Sequence, residues 1–139
     1  MNKIQEKTFL GIDYGQKRIG LAIGKKEDKI AHSFKIIHHI NELNDIVPAK
    51  QIEAFVIGWP LQPDGTEGET CDKVRLFCGA LERKFNLPIY KVDERLTSQK
   101  AETYLRDTLY MRPENRKKVL DAESACLILQ LFFDKGPLE

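Results

Sequence analysis

Three stretches of the chain place carboxylates where metal-dependent chemistry could use them. Asp13 lies within "FLGIDYGQKRIGLAIG", Phe9 to Gly24, an acid set among apolar residues; Asp93 and Glu94 close the apolar run of "YKVDERLTS"; and Asp121 lies in "VLDAESACLILQ". A carboxylate at the end of a buried strand is costly to desolvate, so it calls for a cation, strong hydrogen-bond donors or a solvent-lined cleft. No histidine or thiolate is obviously allied to these acids. An oxygen-only donor set suits a hard cation such as Mg²⁺ or Mn²⁺. Phosphodiester cleavage uses such a set, in which metal ions activate water and stabilise the leaving oxygen.

Each acid also has a plain structural reading. Asp13 could cap the following turn through an Asx bond, and the other acids could complement helix dipoles from first-turn positions. Asp121 is placed in the first turn of the final helix on this reading. Side chains alternate along a strand, so if the extended conformation persists only one of Asp93 and Glu94 faces the cleft, and Arg95 can pair with the other. Alternation does not say which. The combination of acids from three elements favours a metal site over three separate caps.

Cations accompany the acids. Lys17 and Arg18 follow Asp13, Arg95 follows Glu94, and Arg112, Arg116, Lys117 and Lys118 lead towards Asp121. Beside a metal site these would bind phosphates in a salt-sensitive way; the alternative for Arg112 to Lys118 is a solvated charged loop. The glycine-containing loop Trp59 to Gly68 can approach a sugar-phosphate backbone, but it lacks the lysine of a P-loop. Trp59 itself reads as a core or rim residue rather than a platform for stacked bases.

The elements that must carry these groups can be read from periodicity. Strands are expected near Thr8 to Tyr14, Arg18 to Gly24, Lys29 to His38, Ala54 to Gly58 and Leu87 to Asp93. The first two form a hairpin across Gly15 to Lys17. Helices are expected in "INELNDIVPAKQ", where Pro48 ends or breaks the run; through Val74, Phe77, Cys78, Leu81 and Phe85; after Thr97 or Ser98, carrying Ala101, Tyr104 and Leu105; and after the basic stretch, with Ala122, Ala125, Cys126, Leu129 and Phe133 on one face. The order β-β-β-α-β-α-β-α-α describes a mixed sheet, antiparallel at first and parallel afterwards, covered by helices.

Composition is compatible with that α/β layer fold. At 139 residues and 16.0 kDa, with 42% hydrophobic and 31% charged residues, the chain has the size and balance of a single folded domain spanning residues 1–139. The 22 basic residues against 21 acidic leave a formal net charge of +1, so any case for a polyanionic partner must rest on local clusters. Cys71, Cys78 and Cys126 form an odd set without zinc-site spacing and read as reduced thiols. No signal-peptide core and no apolar run approaching the ~18 residues of a membrane span is present, so the expected compartment is the cytoplasm and no membrane partner is expected.

"GIDYGQKRIGLAIG", "VIGWPLQPDGTEG", "VDERLTSQKAE" and "DAESACLILQ", in this order, resemble the YqgF/RuvX family, described as Holliday-junction resolvases and as nucleases maturing small-subunit ribosomal RNA. The resemblance spans about Leu10 to Phe133. It implies an RNase H-like fold with a mixed five-stranded sheet and helices on both faces. It places the family's first acidic position on Asp13, with Gly15, Lys17 and Arg18 completing that motif, its acid-acid-arginine motif on Asp93, Glu94 and Arg95, and its last acid on Asp121. It favours Glu94 over Asp93 as the site residue. Two departures stand out: Gly24-Lys25 replaces a usual Ser-Asp, removing a carboxylate near the end of the second strand, and Ser124-Ala125 replaces a pair of alanines.

The expected activity is therefore metal-dependent hydrolysis of structured nucleic acid, with the precursor of small-subunit ribosomal RNA as substrate. The rival substrate is a four-way DNA junction, whose symmetric cleavage calls for a homodimer. A non-cleaving transcription-associated factor is a third reading, disfavoured by retention of all three acids. The first motif also looks like the phosphate-binding hairpin of sugar kinases and actin-like ATPases, which need two such domains.

Overall fold

The computed structural model describes residues 7–95, 107 and 112–138, and side chains 115–122 lie outside this description. The helix expected after Thr97 or Ser98 falls outside the described residues. The strands are β1 (Thr8–Tyr14), β2 (Ile19–Lys25), β3 (Ile30–Ile37), β4 (Ile52–Trp59) and β5 (Ile89–Asp93). They form one five-stranded sheet in the order β3-β2-β1-β4-β5. β1 pairs antiparallel with β2, and β2 with β3, whereas β1-β4 and β4-β5 are parallel. All five expected strands are present, with ends shifted by one or two residues.

Between β3 and β4 a 3₁₀ turn, Ile40–Glu42, leads into helix α1 (Leu43–Ala49), with Pro48 in its last turn. Helix α2 (Glu69–Phe85) follows the loop after β4, and α3 (Pro113–Lys135) is the C-terminal helix. Side-chain alternation along β1 divides the core. Leu10 and Ile12 join Phe55, Ile57, Val74, Phe77 and Leu81 beneath α1 and α2. Phe9 joins Ala22, Ala54, Val56, Ala125, Ile128 and Leu129 beneath α3. Helices thus cover both faces, which explains why the central strand β4 reads as a continuous apolar run.

The structure corrects two readings of the C-terminal helix. "RPENRKK" is not a loop ahead of it: Arg112 is the N-cap and Pro113 the first helical residue. Proline suits that position because its φ is already helical and its missing N–H would have had no intrahelical partner. Asp121 is consequently the ninth residue of α3 rather than a first-turn acid. The helix-dipole account of Asp121 falls with that placement, since the dipole acts within the terminal turn.

Helix α3 comes very close to β1. A Cβ at position 11 would lie 2.8 Å from the Leu129 Cβ and 2.9 Å from the Ala125 carbonyl oxygen. Towards the start of β1, the Phe9 ring packs on Phe132 with centroids 5.5 Å apart. Helix α3 therefore runs antiparallel to β1, its earlier turns towards Asp13. Gly11→Ala is expected to destabilise the fold by about 1–3 kcal/mol through overpacking, measured by chemical denaturation, while the neighbouring exposed substitution Gln16→Ala should leave the midpoint nearly unchanged.

Candidate active site

Asp13 is the penultimate residue of β1 and pairs with Gly20 of β2. By alternation it shares the α3 face with Phe9 and Gly11. Because β1, β4 and β5 are parallel, their carboxyl ends lie along one edge, where an open α/β sheet collects functional groups. Asp13 lies on β1 and Glu94 directly after β5, with β4 between those strands, yet their carboxyls share a hydrogen bond. Burial and that bond to Asp13 push the Glu94 carboxyl up to about 8. A proton held between the two acids relieves the repulsion of two close carboxylates.

Gly58 of β4 makes this meeting possible. A Cβ there would stand 3.0 Å from Glu94 Oε1 and 2.6 Å from Ile128 Cδ1. Any side chain at this position would occupy the space through which Glu94 reaches Asp13. The sequence reading missed Gly58 as a site residue. Its signal was a glycine inside a β-branched apolar strand, which marks close approach of another group.

Asp93 has a separate task. Only 9% exposed, it accepts from Arg95 Nε at 3.0 Å through Oδ1 and from Nη2 at 2.8 Å through Oδ2. The Arg95 backbone N–H donates to Oδ1 at 3.0 Å as well. The guanidinium holds the Asp93 carboxyl below the usual carboxylate range. Arg95 Nη1 also donates to the Pro63 carbonyl at 3.2 Å. The acid-arginine pair thus ties the end of β5 to the loop after β4, and the geometry separates Asp93, paired with Arg95, from Glu94, paired with Asp13.

The far end of that loop is held by Trp59, which is buried. Its Nε1 donates to Glu67 at 3.0 Å, and the Lys91 ammonium lies 3.9 Å from the ring centroid. Trp59 is a core residue. On the other side of Asp13, the hairpin turn carries Gly15, Lys17 and Arg18; a Cβ at Gly15 would lie 2.7 Å from the Arg18 carbonyl oxygen. The His38 imidazole Nδ1 donates to the Lys17 carbonyl at 3.1 Å, fastening the turn to the end of β3. Among the described residues, no carboxylate pairs with the side chains of Lys17 and Arg18.

Arg112 is exposed at the start of α3. The side chains of Arg116, Lys117, Lys118 and Asp121 lie outside the described residues. The backbone still places Asp121 one turn before Ala125, whose Cβ would lie 3.7 Å from a Cβ at Gly20, the pairing partner of Asp13. Among the described residues, no set of three or more His, Cys, Asp and Glu gathers in metal-binding geometry, and no helix is long and apolar enough to cross a membrane.

The sheet order, its helix-covered faces and the acids at its parallel edge define an RNase H-like α/β fold. Two structures of RuvC from Thermus thermophilus share it: one, in complex with a Holliday junction substrate, aligns with a TM-score of 0.53 at 16% identity over 95% of this chain and 99% of the other. The second aligns with a TM-score of 0.52 at 14% identity over 94% and 99%. The chain belongs to the RuvX family, whose model, described as Holliday junction resolvase, matches residues 7–135. A relative from Burkholderia ambifaria named "Putative pre-16S rRNA nuclease" is 37% identical and is matched over 94% of this chain and 91% of its own length. One of the same name from Paraburkholderia phymatum is 34% identical over 97% and 90%.

The proton shared with Asp13 has a thermodynamic consequence. Between pH 4.5 and about 8 the folded protein retains a proton on Glu94 that the unfolded chain releases. Metal-free stability is therefore expected to fall as pH rises across that window. Urea midpoints measured in EDTA should show the decline, and Glu94→Gln should flatten it.

Proposed function

We propose that this protein is a metal-dependent endonuclease that hydrolyses phosphodiester bonds, and that its substrate is the 5′ region of the small-subunit (16S) ribosomal RNA precursor. The observation that carries this reading is the Asp13–Glu94 pair, an acid of β1 and an acid just beyond β5 held together at the carboxyl edge of the sheet. Such a pair needs positive charge between its members, and a divalent cation supplies it in place of the proton. The oxygen-only donors therefore fit Mg²⁺ or Mn²⁺.

Asp13, Glu94 and Asp121 would hold the cation, which when bound would polarise the phosphate and activate water. Lys17 and Arg18, on the turn beside Asp13, bind and orient the substrate phosphates, with Gly15 keeping that turn tight. Arg112, Arg116 and Lys117 extend the phosphate-binding surface along the start of α3, and Arg95 adds a cation whose position Asp93 sets. Glu94, once deprotonated, would serve as a ligand to the cation or orient the attacking water. The chain acts as a single domain in the cytoplasm.

The RNA substrate is favoured by relatives matched over nine-tenths or more of both chains. The family description favours a second reading, a four-way DNA junction cut by a homodimer. Side-by-side cleavage of a 16S precursor and a four-way DNA junction in Mg²⁺ and Mn²⁺ separates the two. Asp13→Asn and EDTA should each lower the cleavage rate by at least about 10³-fold, with the circular dichroism spectrum preserved. Undiminished cleavage by Asp13→Asn would remove Asp13 from the site.

A further inference from the structure

Asp13 has β4, over which Glu94 reaches, on one side and a separate depression on the other. Asp13, Gly20 and Ile36 form a cross-strand row through β1, β2 and β3, since Asp13 pairs with Gly20 and Gly20 with Ile36. Residues paired across antiparallel strands share a face. The row therefore runs from the candidate centre to the edge of the sheet on the α3 side. Its middle position carries no side chain, which makes a trough. The resulting cavity, about 230 Å³, is lined by Asp13, Gly15, Lys17, Arg18, Gly20 and Ile36.

The lining is unusual in two respects. Ile36 is 44% exposed, although its neighbour Ile37 is completely buried. Lys17 and Arg18, as noted, have no carboxylate partner among the described residues. An apolar wall, two cations without a carboxylate partner among the described residues and an acid at the inner end suit a ligand with an apolar ring system and an anionic backbone. The volume falls somewhat below the ~300 Å³ at which small-molecule pockets begin, room for one nucleoside rather than two.

We propose that this trough seats the sugar and base of one unpaired nucleotide beside the scissile phosphate, with Ile36 as its apolar wall and Lys17 and Arg18 on the adjoining phosphate. The proposal rests on the nuclease reading of the site and adds the state of the strand. A stacked, paired nucleotide has its base faces covered by its neighbours, whereas an unpaired one can turn a face towards Ile36. The enzyme would then select single-stranded positions, and Ile36 and Gly20 would act on binding rather than on the acids.

Gly20 allows a clean test because a side chain fits there without disturbing the fold. A Cβ would lie 3.7 Å from both the Asp13 and Ala125 Cβ atoms, an ordinary contact distance, so alanine fills the floor of the trough without a clash. Affinity for a labelled single-stranded RNA oligonucleotide would be read by fluorescence anisotropy, with Ca²⁺ present to hold the strand uncut. A blunt RNA duplex of the same sequence would be measured in parallel. Gly20→Ala, by occupying the floor of the trough, and Ile36→Ser, by removing apolar contact, are each expected to weaken single-strand binding about fivefold. Duplex binding should change by less than about twofold, with urea midpoints and calorimetric Mn²⁺ affinity retained.

Wild-type single-strand affinity in either variant overturns the proposal, as does an equal loss on single strand and duplex. If that happens while the wild-type protein still cleaves in Mg²⁺ or Mn²⁺, the trough assignment fails and the nuclease reading stands. If the wild-type protein neither binds nor cleaves RNA or a DNA junction, both fail together.

Discussion

The closeness of helix α3 to the sheet is the constraint on which the rest of the site depends. Where the helix crosses β1 and β4, both strands carry glycine, and a Cβ at either position would sit inside contact distance of Leu129, Ala125 or Ile128. Aromatic rings pin the other end, with Phe132 packed on Phe9 and on Tyr90 at centroid distances of 5.5 and 5.1 Å. A helix held at both ends has little freedom to slide or lift. Its earlier turns are thereby delivered to the level of Asp13, with the backbone around Asp121 arriving on the same side of the sheet.

The same glycine in β4 serves packing and chemistry at once. Gly58 admits Ile128 from the helix and leaves space for Glu94 to reach across towards Asp13. Close packing excludes water from one side of the acid pair and so raises the cost of two negative charges there. Moving the helix outwards would relax the packing and hydrate the acids together. In this fold the electrostatics of the site follow from the helix-sheet distance.

Much of this architecture was legible because it depends on local periodicity. The apolar run at Ala54 to Gly58 and the helical stripe of α2 made those elements legible, and the alternation of strands with helices after the third strand made the change from antiparallel to parallel pairing legible. The division of labour between Asp93 and Glu94 was half legible: alternation required them to face different ways, and only the folded geometry pairs Asp93 with Arg95 and Glu94 with Asp13. The start of α3 was misread because its first two turns are polar and basic. A hydrophobic stripe is what marks a helix in a sequence, and a polar, basic first stretch carries no such mark. Gly58 was read only as a strand residue, since a missing side chain matters through what approaches it from elsewhere in the chain.

Asp93 and Arg95 show why neighbouring residues of one motif need not share a task. A carboxylate with three donated hydrogen bonds from one arginine is charge-satisfied and geometrically fixed, so it has little capacity left for a cation or a proton. Glu94, one residue away, is instead hydrogen-bonded to another acid, an arrangement that favours a proton between the two carboxyls. The arginine that neutralises Asp93 also grips the loop after β4 through its carbonyls, bringing that loop to the edge where Glu94 projects. Pairing one acid with a permanent cation keeps its negative charge from adding to the repulsion between the other two acids. The short segment Asp93-Glu94-Arg95 thus sets a rigid anchor beside a carboxyl that pairs with another acid, and the two are kept apart where the chain leaves β5 after Asp93 and turns helical at Glu94.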